Sequence, residues 1–142
     1  MIKINSYKDV NGLIFGSSEV DAIAVFGEPV SRNTNRESER ELHFSDFILR
    51  FDAISGGLRE ITLLPFCEGM INGDIVFWDD RFLQWLALHD KNLIEVLGFV
   101  LSLKVGVAIS GFHDDDESEK AIHMFRYGDW DIFQKNMRPF NQ

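Results

Sequence analysis

The chain has 142 residues, one cysteine, and 23 acidic against 14 basic side chains, for a formal net charge of −9. Its length suits one domain that buries roughly two thirds of the surface of its unfolded form, and a 45 % apolar share with 13 Phe and 3 Trp excludes general disorder. The charge excludes an electrostatic grip on nucleic acid or on an anionic membrane, both of which need an uncompensated basic surface, and Cys67 alone excludes an internal disulfide.

Residues 1–10 alternate polar and apolar and lack the basic start and long apolar stretch of a signal peptide. No run reaches the ~18 apolar residues of a membrane span. The longest apolar tract, 93–109, is broken by Glu95, Gly98, Ser102, Lys104 and Gly106, so a cytoplasmic protein is expected. Cys67 reads as a small buried hydrophobe, since none of His43, His89, His113 or His123 is its sequence neighbour.

Gly16, Ser17 and Ser18 ahead of Glu19 and Asp21 offer a serine cap and acids for the positive end of a helix. Val20, Ile23 and Ala24 repeat at helical spacing, and Gly27 with Pro29 ends the element, which predicts a helix over 18–26. Residues 31–40 have no apolar period and read as a solvated loop. From 41 to 65 the period becomes two, with Leu42 and Phe44, then Phe47, Leu49 and Phe51, then Ile61 and Leu63, predicting three antiparallel strands. Ser45 and Asp46 supply one turn, and Ile54, Ser55, Gly56 and Gly57 the other.

A polar, glycine-containing stretch over 68–74 leads to a predicted short strand at 75–78. Asp79 or Asp80 then caps a second helix with the stripe Phe82, Leu83, Trp85, Leu86 and His89. Residues 93–104 fit a helix opened by Asn92 or a buried strand through 99–103, and the strand is favoured. Residues 105–112 read as a strand, and 120–127 with 130–133 as a closing hairpin turned at Gly128 and Asp129. The expected architecture is α+β, an antiparallel sheet with helices packed on one face, in a single domain over 1–142. The halves 1–67 and 68–142 each run helix then strands, which leaves open a pseudo-repeat of two helix-plus-meander units.

The densest charge cluster is Asp114, Asp115, Asp116, Glu117 and Glu119, next to His113. It fails the calcium-loop pattern, because the sixth place after Asp114 is Glu119 where a glycine is needed, and adjacent side chains point apart; a solvated loop or partner contact is expected, with no metal and no cofactor. Asp129 and Asp131 flank Trp130, which reads as a core or interface anchor with both carboxylates in solvent. Ser6, Ser17, Ser18, Ser110 and Ser118 lack the glycine-framed elbow of a hydrolase nucleophile, so no catalytic residue is assigned. His43 and His123 alternate with core positions and are expected on the opposite side of their strands. The basic residues Arg32, Arg36 and Arg40 interleave with Glu37, Glu39 and Glu41, so nucleic acid is not an expected partner.

The segment Asn11-Gly-Leu-Ile-Phe-Gly-Ser-Ser-Glu through Phe26-Gly-Glu-Pro, with Phe47-Ile-Leu-Arg-Phe-Asp, Gly106-Val-Ala-Ile-Ser-Gly-Phe-His-Asp and residues 125–131, resembles small bacterial immunity proteins. These are the antidotes encoded beside polymorphic toxins, including those of contact-dependent growth inhibition. The matching positions are turns, caps and core residues over about half of the chain, so the resemblance implies a role and not a site. It implies a cognate protein toxin as partner, and an acidic antidote suits a basic nuclease through steered encounter. The expected contact residues are Asp114, Asp115, Asp116, Glu117 and Glu119, the turn Asp129, Trp130 and Asp131, and Asp79 and Asp80 if the loops cluster at one edge. The other class of reading is a small enzyme or ligand-binding protein with a pocket around His113 and residues 114–119; a third is a self-assembling structural domain, with oligomeric state left open.

Overall fold

The computed structural model describes residues 1–114 and 116–141. Three short strands, β1 (Ile2–Asn5), β2 (Asp9–Val10) and β3 (Leu13–Ile14), precede α1 (Glu19–Phe26). Ser18 caps α1, its hydroxyl accepting from the Asp21 amide at 3.2 Å. Gly27 ends it at φ 82°, a conformation that costs glycine nothing. Residues 31–40, expected as a loop, contain β4 (Ser31–Thr34), whose side chains are all exposed. A strand with nothing covering either side carries no apolar period, which is why it reads as a loop.

The predicted strands of 41–65 are β5 (Arg40–His43), β6 (Phe47–Phe51) and β7 (Leu58–Leu63). The stretch expected as a connection holds β8 (Gly69–Ile71), and the strand expected over 75–78 is the shorter β9 (Asp74–Ile75). Beyond Ile75 the chain leaves the sheet, with Val76 buried and the Trp78 indole donating to the Cys67 carbonyl at 2.9 Å. Asp79 caps α2 (Asp80–His89) by accepting from the Arg81 amide. Residues 93–104 form the hairpin β10 (Ile94–Val96) and β11 (Phe99–Ser102), followed by β12 (Val107–Ser110) and β13 (Ala121–Phe125). The expected closing strand at 130–133 is instead part of a 3-10 helix, Asp131–Asn136, before the short β14 (Arg138–Pro139).

The fold is α+β and mostly antiparallel. One sheet has the order β14-β10-β11-β12-β13-β7-β6-β5-β4, and a smaller one β3-β2-β1-β8-β9. In the large sheet two meanders, β4 to β7 after α1 and β10 to β13 after α2, meet at their last strands, with Ile122 opposite Leu63 and Met124 opposite Ile61. The small sheet departs from the antiparallel expectation at β1 and β8, which run parallel.

Alternation decides what each face of the large sheet does. Leu42, Leu49, Ile61, Val107, Ile109, Ile122 and Met124 point to one face and form the main core with Ala22 of α1 and with Phe82 and Leu86 of α2. Both helices therefore cover this face, and full burial of side chains such as Phe82 and Leu86 contributes about 2 kcal/mol each. On the far face Val96, Leu101, Ala108 and Phe125 form a second cluster capped by Trp130. The rest of that face, on β5, β6, β7 and the start of β13, carries charge.

Candidate functional site

Charge is organised in two places. The first is a row across the far face of the sheet, where Glu41, Arg50 and Glu60 stand opposite one another on three neighbouring strands. Arg50 donates to Glu41 at 2.7 Å and also to Glu60 and, at 3.3 Å, to the Thr62 hydroxyl. His123 Nδ1 lies 2.8 Å from that hydroxyl and 3.5 Å from Glu60. His43 bonds the second oxygen of Glu41 at 3.0 Å. The lattice continues through Arg59, held by Glu39 and by Asp129 at 3.2 Å, and through Arg126, which bridges Asp129 to Asp52.

The glutamates of the lattice are buried and its other charged groups partly buried, and burial alone raises a carboxyl pKa. At Glu41 the hydrogen bonds from Arg50 and His43 and the Arg50 charge outweigh burial and bring the pKa down to about 2. At Glu60 burial is likewise outweighed, here by His123, Arg50 and Arg59, so the carboxyl stays below its ordinary value. Arg126, with the Ser55 and Ile54 amides, holds Asp52 far below the carboxylate range. The lattice is internally satisfied, which is the condition under which buried ions are tolerated.

The second place is the acidic corner. Gly111, at φ 81°, opens the 111–120 loop, and a Cβ there would meet Lys120 N at 2.5 Å and Asp116 O at 2.6 Å. Glycine lets the loop close on itself, with the Asp116 amide bonded to the Gly111 carbonyl. Asp116 then caps a 3-10 turn, Glu117–Glu119, by accepting from the Ser118 amide and hydroxyl. Lys120 fastens the loop to the entry of α2. Its ammonium is buried, donates to the Trp78 carbonyl at 3.1 Å and to Glu117, and lies 5.3 Å above the Phe112 ring. Phe112 stacks on Trp78 and packs against Phe82.

This clamp ties Glu117 of the loop to the Trp78 carbonyl, beside Asp79 and Asp80 in the chain, with Arg81 pairing Asp79 and Lys120 pairing Glu117. Asp114, Glu117 and Glu119 are exposed, and Arg81 lowers the Asp79 pKa to about 2 by hydrogen bonding. Under the corner lies a cavity of about 550 Å³ lined by Asp80, Leu83, Gln84, Phe112, His113 and Phe140. His113 Nδ1 is buried there and has no hydrogen-bond partner among the described residues.

Asp79 and Asp80 are exposed and follow Trp78, whose carbonyl Lys120 holds, while Asp115 lies outside the described residues. The Asp129 turn is built differently. Trp130 is a core residue, 8 % exposed and packed on Phe99, Phe125 and Phe133. Asp129, expected in solvent, is paired with Arg59 and Arg126, so of the three only Asp131 is exposed. Cys67 is buried, and burial pushes its thiol up to about 12, so it is held neutral and unreactive. Among the described residues no His, Cys, Asp and Glu side chains converge as a metal site requires, and no helix is long and apolar enough to cross a membrane. The chain matches no protein-family model, no curated protein and no solved structure.

Proposed function

We propose that this protein is an immunity protein, an antidote that binds and blocks a cognate toxin domain with a basic surface, as a nuclease has, through the acidic corner. The observation that supports this reading is the Lys120 clamp, which ties Glu117 of the exposed acidic loop to the Trp78 carbonyl, next in the chain to Asp79 and Asp80. Elsewhere the carboxylates of the lattice are consumed by arginines, so the surplus negative charge has an address. An acidic edge steers a basic partner into encounter and suppresses neutral competitors. Steering of this kind weakens as salt shortens the screening length.

The test is affinity capture of the tagged protein from its own cells at low and high salt, with identification of what is retained. A basic polypeptide in near-stoichiometric yield, weakened by D114N/D116N, is expected; recovery of nothing from cells shown to make the neighbouring toxin contradicts the reading. A second reading, a ligand-binding protein or small enzyme using the His113 cavity, is favoured by the buried Nδ1 atom, which has no partner among the described residues where such atoms usually have one. A metabolite that raises the Tm of the protein but not of a His113→Phe variant would support it.

A further inference from the structure

Three hairpins in this chain close with two residues at positive φ, and they differ in one telling respect. Val10 and Leu13 are joined by Asn11 and Gly12 (φ 51° and 83°), Ile71 and Asp74 by Asn72 and Gly73 (51° and 89°), and Val96 and Phe99 by Leu97 and Gly98 (51° and 85°). Asn-Gly is the favoured pair for this geometry, because asparagine tolerates the left-handed region and leucine does not. The chain uses asparagine twice and leucine once, in the same backbone conformation. Local folding does not explain that choice, and neither does the core, since Leu97 is 55 % exposed.

Its surroundings do. Leu97 and Phe99 line a groove of about 600 Å³ together with the apolar Leu64 and Pro65 and with Asp114 and Glu119 of the acidic loop. A smaller cavity of about 230 Å³ adjoins it and shares Leu97, Phe99 and His123, with Trp130 and Phe133 at its apolar end. Lys120 also lines the groove, but its charge is directed to Glu117 and the Trp78 carbonyl. Among the described residues neither Asp114 nor Glu119 makes an ion pair, so the groove presents apolar contact beside negative charge.

We infer that this groove seats a basic segment of the partner with apolar residues among its arginines or lysines, and that Leu97 is the anchor it packs against. Charge complementarity selects the occupant: a purely basic segment would leave the Leu97 and Phe99 wall uncovered, and a purely apolar one would desolvate Asp114 and Glu119 without pairing them. Strain kept at an exposed position is a recognised mark of a functional contact. This site deepens the immunity reading and rests on it for the identity of the partner.

The probe is a synthetic decapeptide alternating arginine and leucine, titrated into the full chain by calorimetry at low salt, with decalysine as the control. The arginine-leucine peptide is expected to bind at least about tenfold more tightly than decalysine, and Leu97→Asn to weaken it by about tenfold while raising Tm. Leu97→Met is expected to keep most of the affinity. Equal binding of both peptides, or a Leu97→Asn affinity equal to that of the unmodified chain, overturns the groove. So does a dimer in sedimentation that Leu97→Asn dissociates, because the occupant would then be a second copy. The two readings fail separately: a captured basic toxin indifferent to Leu97→Asn removes the groove alone, and a groove that binds the peptide in a protein that captures no toxin removes the immunity reading alone.

Discussion

The buried lattice and the acidic corner are built from the same side chains and put them to opposite uses. In the lattice Glu41 and Glu60 meet Arg50 head-on across strands, and these three side chains are between about 10 % and 17 % exposed. In the corner, Glu117 is 68 % exposed although it pairs with Lys120, and Asp114 and Glu119 face solvent. Burial makes a charge depend on its partner, whereas exposure leaves it free to act at a distance. A net charge of −9 thus conceals a division between charges that hold the sheet and charges that advertise one edge of it.

The division is broken most severely at Arg50. Arg50→Ala leaves Glu41 and Glu60 buried without their shared cation and should cost about 3–5 kcal/mol in urea unfolding. Acid should sharpen the same contrast. Glu41 titrates at about 2 in the folded chain against an ordinary 4.5, so its contribution is fully present above pH 4.5 and is lost as pH falls toward 2. A shift of that size corresponds to roughly 3 kcal/mol. Urea midpoints measured from pH 6 to pH 2.5 should fall across this window, and the fall should be shallower in Glu41→Gln. Leu97→Asn, by relieving a strained turn, should add about 1 kcal/mol and raise Tm. The smallest effect belongs to the corner: D114N/E119Q should change stability by less than about 0.5 kcal/mol, since both side chains are exposed.

The legible parts of the fold were those written locally. Ser18 and Asp79 announce their helices because a cap lies within a few residues of the amides it serves, and β5, β6 and β7 announce themselves by alternation. β4 and β8 escape because one is polar throughout and the other has three residues. The lattice escapes for a different reason. Glu41, Arg50 and Glu60 each look like solvated strand residues, and only the register of three strands makes them a row. Asp129 looks solvated because one of its two partners, Arg59, is 70 residues away, and the nearby Arg126 shows its alignment only in the folded turn. The corner was half legible: its acids are obvious in the sequence, but the clamp joining Lys120 to Trp78 spans 42 residues. Leu97-Gly98 was the missed signal that was open to reading, a bulky apolar residue where Asn11-Gly12 and Asn72-Gly73 set the chain's own pattern.

The most direct measurement sets stability and capture side by side for two variants, D114N/D116N/E119Q at the corner and Arg50→Lys in the lattice. The division of labour predicts that the corner variant keeps a Tm close to that of the unmodified chain and loses a basic partner retained at low salt, while the lattice variant loses Tm and still retains the partner below its unfolding temperature. Retention by the corner variant equal to that of the unmodified chain would contradict it.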